Sequence, residues 1–148
     1  MSLVFRFAVA LVAVTGLMLG TADAQKVASL SALAIEATNG TPAKEDPSIP
    51  KDVLGELKGP FPFNQWKSLG TFSGSPALGQ TWSTPLGGSG YTFTATPQSI
   101  DGDTITFKAV LLQGGSEIFN STLRLQRSRV VVSKKVGAGG IFVVITSR

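Results

Sequence analysis

Along residues 91–96, apolar and polar side chains alternate without a break: Tyr91, Phe93 and Ala95 on one side, Thr92, Thr94 and Thr96 on the other. A period of two places successive residues on opposite faces of a strand, so this stretch predicts a β-strand with one apolar face. Residues 104–111 repeat the pattern, with Ile105, Phe107, Ala109 and Leu111 set against Thr104, Thr106 and Lys108. Asp101-Gly102-Asp103 between the two has turn chemistry, which predicts a hairpin. Gln113-Gly114-Gly115 predicts another turn. Residues 117–126 then read as a strand with Leu123 and Leu125 facing in and Arg124 and Gln126 facing out. Val130, Val131 and Val132 have no polar alternation, as expected of a strand covered on both faces. A glycine-rich turn at 137–140 and an apolar strand at 141–146 close the chain.

Upstream the pattern is less regular. In residues 27–38, Val27, Leu30, Leu33, Ala34 and Ile35 fall at helical spacing, while the same apolar run fits a strand; periodicity leaves both open, and a short N-terminal helical segment is expected. Residues 39–50 read as a linker, with Asn39-Gly40, Pro42, Pro47 and Pro50. Residues 48–57 form a second helix candidate, with Leu54 and Leu57 one turn apart and Pro50 in the first turn, where its missing N–H costs nothing. Gly59-Pro60 stops it. Proline removes ladder donors, so Pro60-Phe61-Pro62-Phe63 is expected as an extended segment laying Phe61 and Phe63 on the core. Residues 65–72 and 80–84 are short strand candidates carrying Trp66 and Trp82, and 87–90 is a turn.

Short strands separated by glycine turns point to a mainly β fold, an antiparallel β-sandwich-like domain with a short N-terminal helical segment. The expected division is a leader at 1–24, a helix and linker segment at 25–59, and a β-rich domain at 60–148 that forms one globular unit with 25–59. A transmembrane barrel is disfavoured. Several strands fall short of the roughly 9–11 residues a bilayer requires, and Lys108 and Arg124 would lie on outward faces.

The leader is expected from residues 1–24. Arg6 supplies a positive charge, residues 7–20 are apolar and uncharged, and Thr21-Ala22-Asp23-Ala24 offers small residues before Gln25. This is the layout of a cleavable secretory signal. The apolar run is shorter than the roughly 20 residues a spanning helix needs, and no membrane span is expected after its removal. The expected location is periplasmic or extracellular.

Composition narrows the chemistry. The chain has no cysteine and no histidine. That excludes thiol nucleophiles, Ser-His-Asp and Cys-His arrangements and His- or Cys-ligated zinc. No cofactor or metal site is expected. Asp101-Gly102-Asp103 runs straight into strand residues rather than completing a calcium loop. Gly87-Gly88-Ser89-Gly90 is not the Gly-x-Ser-x-Gly elbow. Paired carboxylates could serve a hydrolase, and Asp101, Asp103 and Glu117 are the first candidates, because they flank consecutive strands and could meet at one end of a sheet. Solvated turns are the simpler expectation, and a non-enzymatic protein is expected. Asn39-Gly40-Thr41 and Asn120-Ser121-Thr122 match the glycosylation acceptor pattern, relevant only to a eukaryotic chain.

Net charge is +4. The excess is concentrated in residues 118–148, which carry Arg124, Arg127, Arg129, Lys134, Lys135 and Arg148 and no acid. Such a field attracts polyanions, and export favours an acidic glycan or other anionic polymer over nucleic acid. Arg124, Arg127, Arg129, Lys134 and Lys135, with Trp82 as a stacking ring, are the candidate ligand-binding residues. The simpler alternative is a solvated face.

Residues 57–63 and 66–70, with 122–125, 130–132 and 140–146, resemble small exported bacterial β-rich proteins of unknown function. The resemblance implies a periplasmic or extracellular β-rich module and no activity. The leading expectation is an exported, non-enzymatic module for protein binding or assembly in the cell envelope, with a protein partner or envelope component and with strand edges available for augmentation. Binding of an acidic glycan or other anionic polymer through the basic C-terminal third is the alternative.

Overall fold

A computed structural model describes residues 26–148; the expected signal at 1–24 lies outside the described residues. Residues 27–38 resolve as strand rather than helix: β1 spans Leu30–Thr38. The reason lies in its neighbours. Leu30, Ala32 and Ala34 enter one core, while Ile35 and Ala37 enter a second core on the opposite face. A strand apolar on both faces carries no period of two, so its sequence resembles a helix. The helix is the later candidate, α1, at Lys51–Lys58. Pro50 precedes it, and the Leu54 N–H donates to the Pro50 carbonyl at 3.0 Å, so the proline stands where no N–H is needed.

Two sheets and the helix stack as three layers. The first sheet has the order β2-β3-β1-β9-β8, from β2 (Lys44–Glu45), β3 (Gln65–Gly74), β1, β9 (Gly139–Ser147) and β8 (Arg129–Val136). All its pairings are antiparallel except the short β2–β3 pair. The second sheet is a meander, β4 (Trp82–Pro85), β5 (Tyr91–Asp101), β6 (Thr104–Gln113) and β7 (Ser116–Gln126). The fold is therefore mainly β, antiparallel and sandwich-like. Its β framework does not begin at residue 60, because β1 lies between β3 and β9 in the middle of its sheet.

The alternation of β5 and β6 fixes the inner face of the second sheet. Tyr91, Phe93 and Ala95 are buried with Ile105, Phe107, Ala109 and Leu111, and they meet Leu30, Ala32 and Ala34 of β1 and Ile141, Val143 and Ile145 of β9. On the far side of the first sheet, Val53, Leu54 and Leu57 of α1 and Ile49 pack on Ile35, Phe142 and Val144. Phe61 and Phe63 extend that layer past the end of the helix, as expected of the proline segment.

Candidate functional site

The β8–β9 hairpin turns through Gly137 and Ala138, with Val136 paired to Gly139. Gly137 takes φ +59°, which suits the first central position of a two-residue turn whose twist matches the strands. The hairpin end extends beyond the cover of α1. What lies over it instead is the rigid segment Phe61-Pro62-Phe63, and between segment and hairpin opens a groove of about 520 Å³.

Aromatic rings form the groove's floor and one wall. Phe142 is buried, and Phe61 meets it edge-on at 4.7 Å between centroids; Phe63 stands 6.3 Å from it and 6.0 Å from Trp66. The Trp66 indole N–H donates to the Phe63 carbonyl at 3.0 Å, which fixes the segment on the sheet. Gly140 lets the rings approach, since a side chain there would touch Phe63 and Phe142 at 3.4 and 3.3 Å. The opposite wall is Ser133, Lys134 and Lys135 of β8, all exposed. An open apolar concavity flanked by cations can hold an apolar side chain of a ligand while its acidic neighbours meet the lysines. Among the described residues no three Asp or Glu side chains gather to hold a metal.

The remaining candidate residues do not converge on this groove. Arg124 exchanges places with the inward Leu123 and Leu125, so it lies on the outer face of the second sheet, beside Thr106. Arg127 sits at the corner between β7 and β8 with φ +57°, and its Nε donates to Asp103 at 2.7 Å. Arg129 binds the helix: its Nη2 donates to Asp52 at 2.7 Å, and Nη1 lies 3.4 Å from Glu56. The Arg129 hydrogen bond holds the Asp52 carboxyl below the usual carboxylate range and raises the guanidinium in turn. Lys134 and Lys135 are on opposite faces of β8, roughly 20 Å along the strand from Arg129. Trp82 is on β4, at the opposite edge of its sheet from Arg124, and turns inward: its ring meets Phe93 edge-on at 6.0 Å and lies against Gly74. The basic third is thus divided among two outer faces, a corner and a helix contact, and only Lys134 and Lys135 border the groove.

The carboxylate trio is separated as well. Asp101 ends β5 and Asp103 lies in the β5–β6 turn, whereas Glu117 pairs opposite Leu112 at the other end of β6. Eight residues of strand place them about 25 Å apart, against the 5–10 Å that two-carboxylate hydrolysis requires. The meander decides this: consecutive hairpin turns fall at alternate ends of a sheet.

Asp46 is the most strongly perturbed carboxyl. It accepts from the Ser48 hydroxyl at 2.7 Å, the Ser48 N–H at 2.9 Å and the Ser68 N–H at 3.0 Å, which lower its pKa from 3.8 to about 2. The bonds tie the entry to α1 to β3. A depressed folded-state pKa contributes stability that is present above the unfolded value, near pH 4, and is lost as the pH falls through 2. Asp46→Asn should therefore lower the thermal midpoint at pH 7, and its midpoint should fall less steeply than the wild type's between pH 4 and 2. Parallel curves over that window in thermal scans would show that Asp46 is not coupled to folding.

Comparison with known protein families, with curated proteins and with solved structures finds no match to this chain. The signal that could have located the groove was divided in the sequence. Phe61-Pro62-Phe63 and the Lys134-Lys135-Val136-Gly137 approach to the hairpin are about 70 residues apart, and Phe142 reads as one more apolar residue of a strand.

Proposed function

We propose that this chain is an exported, non-enzymatic module that binds a protein partner in the cell envelope or outside the cell, and that the partner docks at the groove over the β8–β9 turn. The observation that carries the reading is the groove itself: half-buried Phe61 and Phe63 face a wall of exposed Ser133, Lys134 and Lys135. A chain that buries Trp66 and Phe142 almost completely leaves these two rings in contact with solvent, and an apolar concavity of that kind is typical of interaction sites. The rings are held on a sheet and by two prolines, so little conformational entropy is lost on binding. Export is supported by the charge and apolar pattern of residues 1–24, and the non-enzymatic reading by the absence of histidine and cysteine.

The protein carrying a tag after Arg148 should be isolated from its native envelope fraction. Its N-terminal sequence is expected to begin at Gln25; a chain beginning at Met1 in the cytoplasmic fraction would overturn the export part. A protein partner should co-isolate with the wild type and be lost with Phe63→Ser, which removes a half-buried ring of the groove. Equal recovery with wild type and Phe63→Ser would overturn the docking part.

A further inference from the structure

The groove opens onto a strand edge that no other strand covers among the described residues, and that edge defines how a partner can bind. β8 is the last strand of its sheet and β7 the last of the other; the chain passes between them only at the corner Arg127-Ser128. Beyond the corner, Ser133, Lys134 and Lys135 are three consecutive exposed residues within a strand. Lys134 belongs to the same face as buried Val132, yet is exposed, while Val136 beyond it packs on the core between the sheets.

The backbone groups available there follow from the hairpin. A two-residue turn is closed by a hydrogen-bonded pair, here Val136 and Gly139, and in an antiparallel ladder such pairs alternate with non-bonded ones. Lys134 and Val132 therefore bond to β9, through Ile141 and Val143. The N–H and C=O groups of Ser133 and Lys135 face away from β9. Their side chains share the groove side of the sheet with Phe142. Among the described residues, one short stretch thus presents unpaired backbone donors and acceptors, with Lys135 on the groove side of the strand and Lys134 on its other face.

We infer that the partner contributes an extended, acidic segment that adds to β8 as a further strand, pairing its backbone with Ser133 and Lys135 and placing an apolar side chain in the Phe61–Phe63 groove. This rests on the docking reading above and specifies the partner's chemistry. Charge selects the occupant. Lysines on an edge strand repel the same edge of a second copy, which is how sheets avoid self-pairing. An added strand with apolar side chains in the groove turns its alternate glutamates or aspartates to the other face, toward Lys134, while Lys135 at the groove rim adds to the field; backbone pairing supplies affinity and alternate side chains supply specificity.

The test uses the full-length protein processed at its native N terminus and three synthetic peptides of about seven residues. One alternates valine with glutamate, one alternates valine with lysine, and one is the glutamate peptide N-methylated on alternate amides, made in both registers. The glutamate peptide is expected to shift and protect from exchange the amides of Ser133 and Lys135 in NMR spectra. One N-methylated register should bind at least about tenfold more weakly and the other normally, since only alternate amides of an added strand reach the edge. The lysine peptide should not bind, and raising the salt should weaken the glutamate peptide. Lys134→Glu with Lys135→Glu should weaken it several-fold with the thermal midpoint unchanged.

Equal binding of both N-methylated registers would overturn strand addition while leaving groove docking intact. Binding of none of the peptides would also overturn strand addition, and co-isolation of a partner sensitive to Phe63→Ser would then keep the docking reading separate. Protection of the Ser133 and Lys135 amides without peptide, together with a dimer in sedimentation, would assign the edge to a second copy and overturn the acidic partner.

Discussion

Replacing Phe142 by alanine should destabilise the protein by about 3–5 kcal/mol, the cost of deleting a buried aromatic ring together with the space it leaves. Phe142 is 1% exposed and sits where three other rings meet: Phe61 at 4.7 Å, Trp66 at 5.5 Å and Phe63 at 6.3 Å. Its backbone belongs to β9, an inner strand of the first sheet, so its ring connects the sheet to the helical layer. The neighbours cannot close the gap. Phe61 and Phe63 are held by Pro60 and Pro62, and Trp66 is held by its bond to the Phe63 carbonyl. The groove would then extend inward and admit water, and the expected drop in thermal midpoint is on the order of 10–20 °C for a chain of this size. The loss should be local in its first effect. Segment 59–63 would no longer be anchored, so trypsin should cut after Lys58 faster than in the wild type at temperatures well below the transition. A destabilisation under about 1 kcal/mol with unchanged cleavage would mean that the rings do not pack as one cluster.

Gly139→Ala should cost about 3 kcal/mol, the upper end of the overpacking range, although it adds a single methyl group. A Cβ at this position would lie 2.5 Å from the Ala37 carbonyl oxygen and 3.1 Å from the Thr38 methyl. The obstacle is backbone rather than a flexible side chain, and the backbone belongs to β1, which is paired on both sides by β3 and β9. Relief requires the start of β9 to separate from the end of β1, where Ala37 pairs with Gly140. Hydrogen exchange should therefore accelerate first at those pairs and at the adjacent groove floor. Gly88→Ala is the control: nothing lies within 4 Å of the added methyl, and urea midpoints should match the wild type. If Gly139→Ala were as mild as Gly88→Ala, the close approach of β1 and β9 would be wrong.

The two substitutions mark what was legible beforehand and what was not. The strands with one wet face announced themselves. Tyr91, Phe93 and Ala95 alternate with threonines because the outer face of the meander meets water, and the same holds for Ile105 through Leu111. Turns were equally legible, since Gly102, Gly114 and Gly137 adopt positive φ that other residues resist. β1 was not legible, because burial on both faces erases alternation, and its helical spacing of Leu30, Leu33 and Ala34 is a by-product of apolar residues on both faces.

The candidate site divides in the same way. Chain chemistry alone determined that a basic, acid-free stretch runs from residue 118 to the end and that neither histidine nor cysteine is present to drive common catalysis. Those are properties of residue type, which folding does not alter. Position was another matter. Hairpin topology sent Asp103 and Glu117 to opposite ends of β6, strand parity split Lys134 from Lys135, and local acids engaged Arg127 and Arg129. Only the tertiary structure brought Phe61 and Phe63 onto Phe142 beside the edge of β8. The physical reason is that a strand pattern encodes which face is apolar but not which other strand lies beside it. Pairing between segments distant in the chain is decided by how the whole set of apolar faces is buried at once.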